Sequence, residues 1–162
     1  MNLYLIRHAE AVPLGESGIT EDAARPLTAT GQAQVKSLAS GLKHQGIYPT
    51  VVLASPLLRS RQTAEGLVAE FAAPAPEVRI CEDLAPGGKR RRISRCVKDL
   101  GAESVALVGH EPDLSELAAW LIGSKKAALD LAKAGVACVK CKAGPGKLRG
   151  SLVWLVTPQW LS

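Results

Sequence analysis

Aromatic residues are scarce in this chain: one Phe, two Tyr and three Trp, 4% of 162 residues. Base-stacking platforms of single-stranded nucleic-acid binders depend on interleaved aromatics, so that class is disfavoured from the start. Long apolar runs are missing too, and nothing approaches a membrane span. The first residues carry no basic n-region followed by an apolar h-region, because Arg7-His8 interrupts the opening apolar stretch. A cytoplasmic protein that engages no membrane is expected. Cysteines number four, and only Cys138 and Cys141 form a CxxC. A zinc site needs about four ligands, and no second CxxC or His pair is present. The segment around this pair reads as a strand, where residues three apart face opposite ways. Ordinary thiols are expected there, with no metal.

What remains is an ordinary globular composition, 47% hydrophobic and 22% charged, in a length that suits one domain spanning residues 1–162. Lys plus Arg exceed Asp plus Glu by 20 − 15 = 5. That balance suits an anionic ligand without requiring nucleic acid.

Apolar patterning alternates between buried strands and amphipathic helices. Leu3-Tyr4-Leu5-Ile6 is a buried strand that ends in Arg7-His8. A Pro- and Gly-containing loop, Ala11 to Leu27, follows and is long enough to cover a site. Thr28 or Thr30 caps a helix whose stripe is Val35, Leu38, Ala39 and Leu42, and Gly46 ends it. Val51 to Ala54 is a strand. Ser55 and Pro56 then read as N-cap and first residue of a helix to about Phe71. Val78 to Cys81 is a short strand. Lys89-Arg90-Arg91-Arg92 opens a helix whose inner stripe is Ile93, Cys96, Val97 and Leu100, leaving a basic outer face. That face reads first as solvated surface, with an acidic protein partner as the alternative. Ser104 to Val108 is a strand running into Gly109-His110. Asp113 and Glu116 have capping-box spacing at the head of the next helix. A strand within 129–141, a loop over 143–150 and a strand over 152–156 close the chain.

Three strand ends therefore carry Arg7-His8, Arg59 near a helix start, and His110. Ligands of open α/β sheets sit at such carboxyl ends. Arginine offers a planar fork of donors for phosphate, and histidine a lone pair near neutral pH. Arg61 lies roughly 200° around its helix from Arg59 and cannot serve the same point. Together these groups point to a phosphate pocket.

The segments Leu5-Ile6-Arg7-His8-Ala9-Glu10-Ala11, Arg25-Pro26-Leu27-Thr28, Ser55-Pro56-Leu57-Leu58-Arg59-Ser60-Arg61-Gln62-Thr63-Ala64 and Gly109-His110-Glu111-Pro112-Asp113-Leu114-Ser115 resemble the histidine phosphatase superfamily. The short length and the Gly-His-Glu-Pro form resemble its SixA-type phosphohistidine phosphatase branch. Ala9 stands where the family's Arg-His-Gly motif has glycine. The resemblance implies a three-layer α/β/α domain of the phosphoglycerate mutase-like kind, a mostly parallel sheet flanked by helices. It implies a cofactor-independent, metal-free phosphatase. His8 would be the nucleophile, Arg7 and Arg59 a clamp on the phosphoryl oxygens, His110 a further donor, and Arg25 a pocket neighbour. The general acid is the departure, because the chain is too compact for the acid-bearing insert of larger members. Glu82 and Asp83 are candidates by position, while Glu10 and Glu111 lie closer to the motifs. A site short of an acid favours phosphoramidates, whose nitrogen leaves once protonated by water. Protein phosphohistidine is thus the expected substrate, acted on by a monomer. A small phosphorylated metabolite and a non-catalytic phosphate-binding module are the alternatives.

Overall fold

A computed structural model describes every residue except 73, 125, 126, 148, 161 and 162. The described residues form six strands in one sheet and four α-helices: β1 (Asn2–Arg7), α1 (Ala29–His44), β2 (Val51–Ala54), α2 (Leu58–Ala69), β3 (Glu77–Ile80), α3 (Arg90–Asp99), β4 (Ser104–Gly109), α4 (Asp113–Ile122), β5 (Val136–Cys141) and β6 (Gly150–Val156). The strand order is β3-β2-β4-β1-β5-β6. The first four run parallel, and β5 and β6 add two antiparallel pairings. The sheet is mostly parallel, as expected, and mixed through its antiparallel end.

The unbroken apolar run of β1 has a simple cause: both of its faces are covered. Tyr4 and Ile6 join Val35, Leu38, Leu42 and Leu67 under α1 and α2. Leu3 and Leu5 join Ile93, Val97, Leu114, Leu117 and Leu121 under α3 and α4. Burial of these side chains stabilises the fold by roughly 1.5–3 kcal/mol each before chain entropy is counted. Cys138 and Cys141 fall into opposite layers, as expected of strand residues three apart. Both are buried free thiols, and burial pushes their pKa values up.

Register places the site. Ile6 is opposite Val108, Ala54 is opposite the same residue on the other side, and Arg7 is opposite Gly109. The backbone N–H of His8 continues the ladder to the Gly109 carbonyl at 3.0 Å, and that of Ser55 reaches the Val108 carbonyl at 2.9 Å. The carboxyl ends of β1, β4 and β2 therefore finish side by side.

Two helix starts differ from the sequence expectation. Helix α2 begins at Leu58 with Leu57 as its cap residue, so Ser55 and Pro56 precede it and Ser55 is released for another partner. At α4 no capping box forms; Asp113 instead accepts the Gly87 N–H at 2.9 Å, pinning the 82–88 loop to the helix head. Thr28 does cap α1, accepting the Gly31 N–H at 3.0 Å.

Candidate active site

His8 ends β1 at 9% exposure. Its Nδ1 lies 2.7 Å from the Ala9 carbonyl and its Nε2 lies 3.2 Å from Nε of Arg59. A carbonyl only accepts and a guanidinium only donates. Nδ1 therefore carries the proton and Nε2 keeps its lone pair. Burial first, and then the neighbouring arginines, lower its pKa to about 4, against the backbone hydrogen bond that raises it. The ring is neutral at pH 7.

Arg59, in the first turn of α2, is 4% exposed. Its guanidinium is used along two edges. The Nε/Nη2 edge faces the imidazoles, with Nη2 3.5 Å from Nδ1 of His110. The terminal edge is held by one residue: Nη1 donates to the Asp22 carbonyl at 2.7 Å and Nη2 to the Asp22 carboxylate at 3.0 Å. The other Asp22 oxygen accepts from Arg25 at 2.9 Å, and Arg25 Nε reaches the Val12 carbonyl at 2.7 Å. The two guanidinia, Arg25 foremost, hold the Asp22 carboxyl below its usual range against a desolvation that raises it. Thr63, one turn along, donates to the Arg59 carbonyl at 2.7 Å and accepts the Ala9 N–H at 3.1 Å, tying α2 to the end of β1.

His110 ends β4 and is 4% exposed. Its ring lies 5.1 Å from that of His8, centre to centre. Nε2 is hydrogen-bonded with Ser55 Oγ at 2.8 Å, and Ser60 Oγ stands 3.4 Å away. Burial, then His8 and Arg59, lower its pKa to about 3. Arg7 sends Nη1 to the Leu131 carbonyl at 2.9 Å, while its buried Nε has no partner among the described residues. An orphaned charged donor beside two neutral imidazoles and a second guanidinium suits an anion.

The four residues singled out from the strand ends are thus together, and Arg25 joins them through Asp22. Arg61 points away to Glu65, 3.9 Å off, as its helix angle requires. The acid candidates scatter. Glu10 accepts from Thr28 at 2.9 Å. Asp83 lies in a short 3-10 turn, Glu82–Leu84, 3.8 Å from exposed Arg92, and Glu82 is exposed. Glu111 is half-buried, and burial raises its pKa. Sequence reasoning missed Asp22 and the second use of Ser55. A short Asp three residues before an arginine of the Arg-Pro-Leu-Thr stretch was the available signal for the first. The second had none, because Ser-Pro before a helix reads equally well as a cap.

The model of the histidine phosphatase superfamily (branch 1) matches residues 3–85. An uncharacterized protein of Picosynechococcus is 36% identical across 99% of both chains. The phosphohistidine phosphatase SixA of Escherichia coli is 31% identical over 75% of this chain and 74% of its own. Among solved structures, the protein histidine phosphatase SixA complexed with tungstate superposes with a TM-score of 0.85 at 26% identity, covering 100% of both chains. Site geometry, family model and relatives converge: the chain belongs to the histidine phosphatase superfamily.

Proposed function

We propose that this chain is a phosphatase that takes a phosphoryl group from protein phosphohistidine through a covalent intermediate on His8. The observation that carries the reading is the lone pair of His8 Nε2, fixed by the Ala9 carbonyl and aimed at the Arg59 edge that also meets His110. A phosphoryl group entering between that edge and the two rings replaces two long contacts, 3.2 and 3.5 Å, with charge-assisted ones. The charge of Arg7, felt by both imidazoles, adds to the attraction for the anion. The expectations of a phosphohistidine substrate and of a mechanism without cofactor rest here on the SixA relatives and on this donor set.

Attack proceeds in two steps. Nε2 of His8 forms a bond to phosphorus as the bond from phosphorus to the substrate's imidazole nitrogen breaks, and that nitrogen leaves with a proton from water. A water then attacks the phosphohistidine, its proton is lost to solvent or to a phosphate oxygen, and the pair returns to Nε2. Splitting one displacement into two lowers each barrier. Preset donors stabilise the moving charge without reorganising. His110 enters neutral; the dianion raises its proton affinity, so that Nδ1 becomes a donor to phosphate while Ser55 keeps Nε2 in place. Asp22 holds the far edge of Arg59 and leaves the near edge free. Among the described residues no carboxylate hydrogen-bonds either imidazole, which favours a leaving group that protonates without a positioned acid.

The test is phosphate release from a phosphohistidine protein and from an aryl phosphate, wild type beside His8→Ala. Release from phosphohistidine that disappears in the variant is expected. Release from the aryl phosphate alone moves the substrate to small phosphorylated metabolites. Release from neither, with inorganic phosphate still bound, makes the site a binding module.

A further inference from the structure

The basic helix α3 lies outside this chemistry. Its inner side is fixed: Ile93 and Val97 are buried, and Ser94 Oγ donates to the Pro145 carbonyl at 2.8 Å, tying the helix to the β5–β6 connection. Its outer side carries Arg91, Arg95 and Lys98 at i, i+4 and i+7, one stripe roughly 10 Å long. The tie at Pro145 brings Lys147 and Arg149 alongside, and these five cations with Trp120 line a cavity of about 420 Å³ that has no carboxylate in its wall. All five are exposed. Among the described residues Arg91, Arg95, Lys98 and Lys147 make no ion pair, in contrast to Arg90, 3.6 Å from Glu116, and Arg92, 3.8 Å from Asp83.

The surface extends as far as the residues that follow His110. Two further concavities, about 600 and 810 Å³, share Trp120 and Lys147 with the first. The 600 Å³ one is also lined by Glu111 and Pro112, the two residues that follow His110. The charge is therefore graded: Glu111 and Glu116 balance Arg90 and Lys147 in the cavity next to His110, Asp113 and Glu116 stand among the cations of 89–92 in the 810 Å³ one, and the third holds cations alone.

We infer that this surface docks the phosphohistidine-bearing protein by an acidic face lying to one side of its phosphorylated residue, a conclusion that rests on the proposed function. A protein partner matches graded charge with its own gradient, whereas a nucleic-acid backbone brings one sign of charge throughout and meets the carboxylates as well. Half-buried Trp120 at the centre supplies the aromatic contact that anchors protein interfaces. Small phosphorylated compounds fill only the pocket at His8 and are indifferent to α3.

The experiment uses three substrates: a small phosphoramidate, and two phosphohistidine peptides of equal length, with a run of glutamates on either side of the phosphorylated residue or glutamines in the same places. Wild type is expected to show a KM about tenfold lower for the glutamate peptide than for the glutamine peptide, the effect of three exposed ion pairs together. The preference falls towards unity at 1 M salt. Arg91→Glu/Arg95→Glu/Lys98→Glu abolishes it and leaves phosphoramidate turnover within about twofold; Arg95→Glu alone reports in the same direction if the triple variant folds poorly. Equal KM values for all peptides, or a preference unchanged in the variants, overturns the docking assignment while peptide turnover preserves the proposed function. Should no peptide be turned over, fluorescence anisotropy of the unphosphorylated glutamate peptide decides: binding lost in the variant supports docking, and binding retained or absent overturns it. Binding of a labelled single-stranded DNA that is tighter than that of the peptide, and lost in the same variants, also overturns it.

Discussion

Two helices of this protein carry arginine in the first turn, and they use it in opposite ways. In α2, Arg59 is 4% exposed and every edge of its guanidinium is assigned: imidazoles on one side, Asp22 on the other. In α3, Arg90, Arg91 and Arg92 are exposed, and their pairings are long or missing. A buried guanidinium costs desolvation unless its donors are met, so its neighbours are fixed and few. An exposed one is screened and replaceable. Abundance of arginine therefore marks a surface, and burial marks the site. The comparison also separates two tasks in the proposals above: α2 handles the phosphoryl group, and α3 handles what carries it.

The comparison breaks most sharply at the residue that Arg59 faces. His8→Ala is expected to lower phosphate release by more than about 10⁴-fold and to remove any acid-labile, base-stable phosphoenzyme in a quench experiment. Arg59→Ala should lower kcat by about 10²–10³-fold, the scale for losing a preset charged donor, and Arg59→Lys should recover little because a point charge cannot serve two edges. For α3 the matching variant Arg91→Ala should leave small-substrate turnover within about twofold; a loss on the Arg59 scale would erase the distinction.

Asp22→Asn sharpens the comparison. The amide keeps one acceptor for Arg59 but loses the charge shared with Arg25. Orientation of the guanidinium should suffer by about tenfold in kcat with a smaller change in KM, the scale for groups that position a reacting residue. Recovery of function in Asn above that in Ala identifies orientation as the cause. Arg61→Ala, at an exposed residue 3.9 Å from Glu65, should change stability by less than about 0.5 kcal/mol in urea unfolding.

Acidity tests the burial itself. His8 and His110 have folded pKa values of about 4 and 3, below the ordinary 6.5. Between those limits the unfolded chain binds more protons than the folded one, so stability rises with pH there. The stabilisation is present above about pH 6.5 and is lost as pH falls towards 4 and then 3. For His8 the swing is on the order of 3 kcal/mol. Urea midpoints at pH 7 and pH 5 check it, and His110→Asn should flatten the slope. The acid limb of kcat/KM for the free enzyme should fall well below pH 6.5 for the same reason.

Much of the fold was legible because its signals are local. Continuous apolar runs marked β1, β2 and β4, and 3.6-residue stripes marked α1 and α3. The same runs placed Arg7-His8 and His110 at strand ends, and the helix angle separated Arg59 from Arg61. The start of α2 was misjudged because Ser-Pro has the chemistry of a cap whether or not a helix begins there; His110 won the serine hydroxyl instead. The capping box of α4 failed for a like reason, since the Gly87 N–H from another segment took the Asp113 carboxylate. The antiparallel end of the sheet was only partly visible, as short β segments carry no mark of direction.

Sequence alone determined which residue types stand at strand ends, because the alternation of strand and helix is written in short-range apolar spacing. Tertiary structure decided which edge of Arg59 is free, which nitrogen of His8 keeps its lone pair, and that Asp22 and Ser55 belong to the site. Apart from the adjacent Ala9 carbonyl, those choices depend on hydrogen-bond partners from segments 37, 51 and 55 residues away in the chain, and no local pattern encodes such partners.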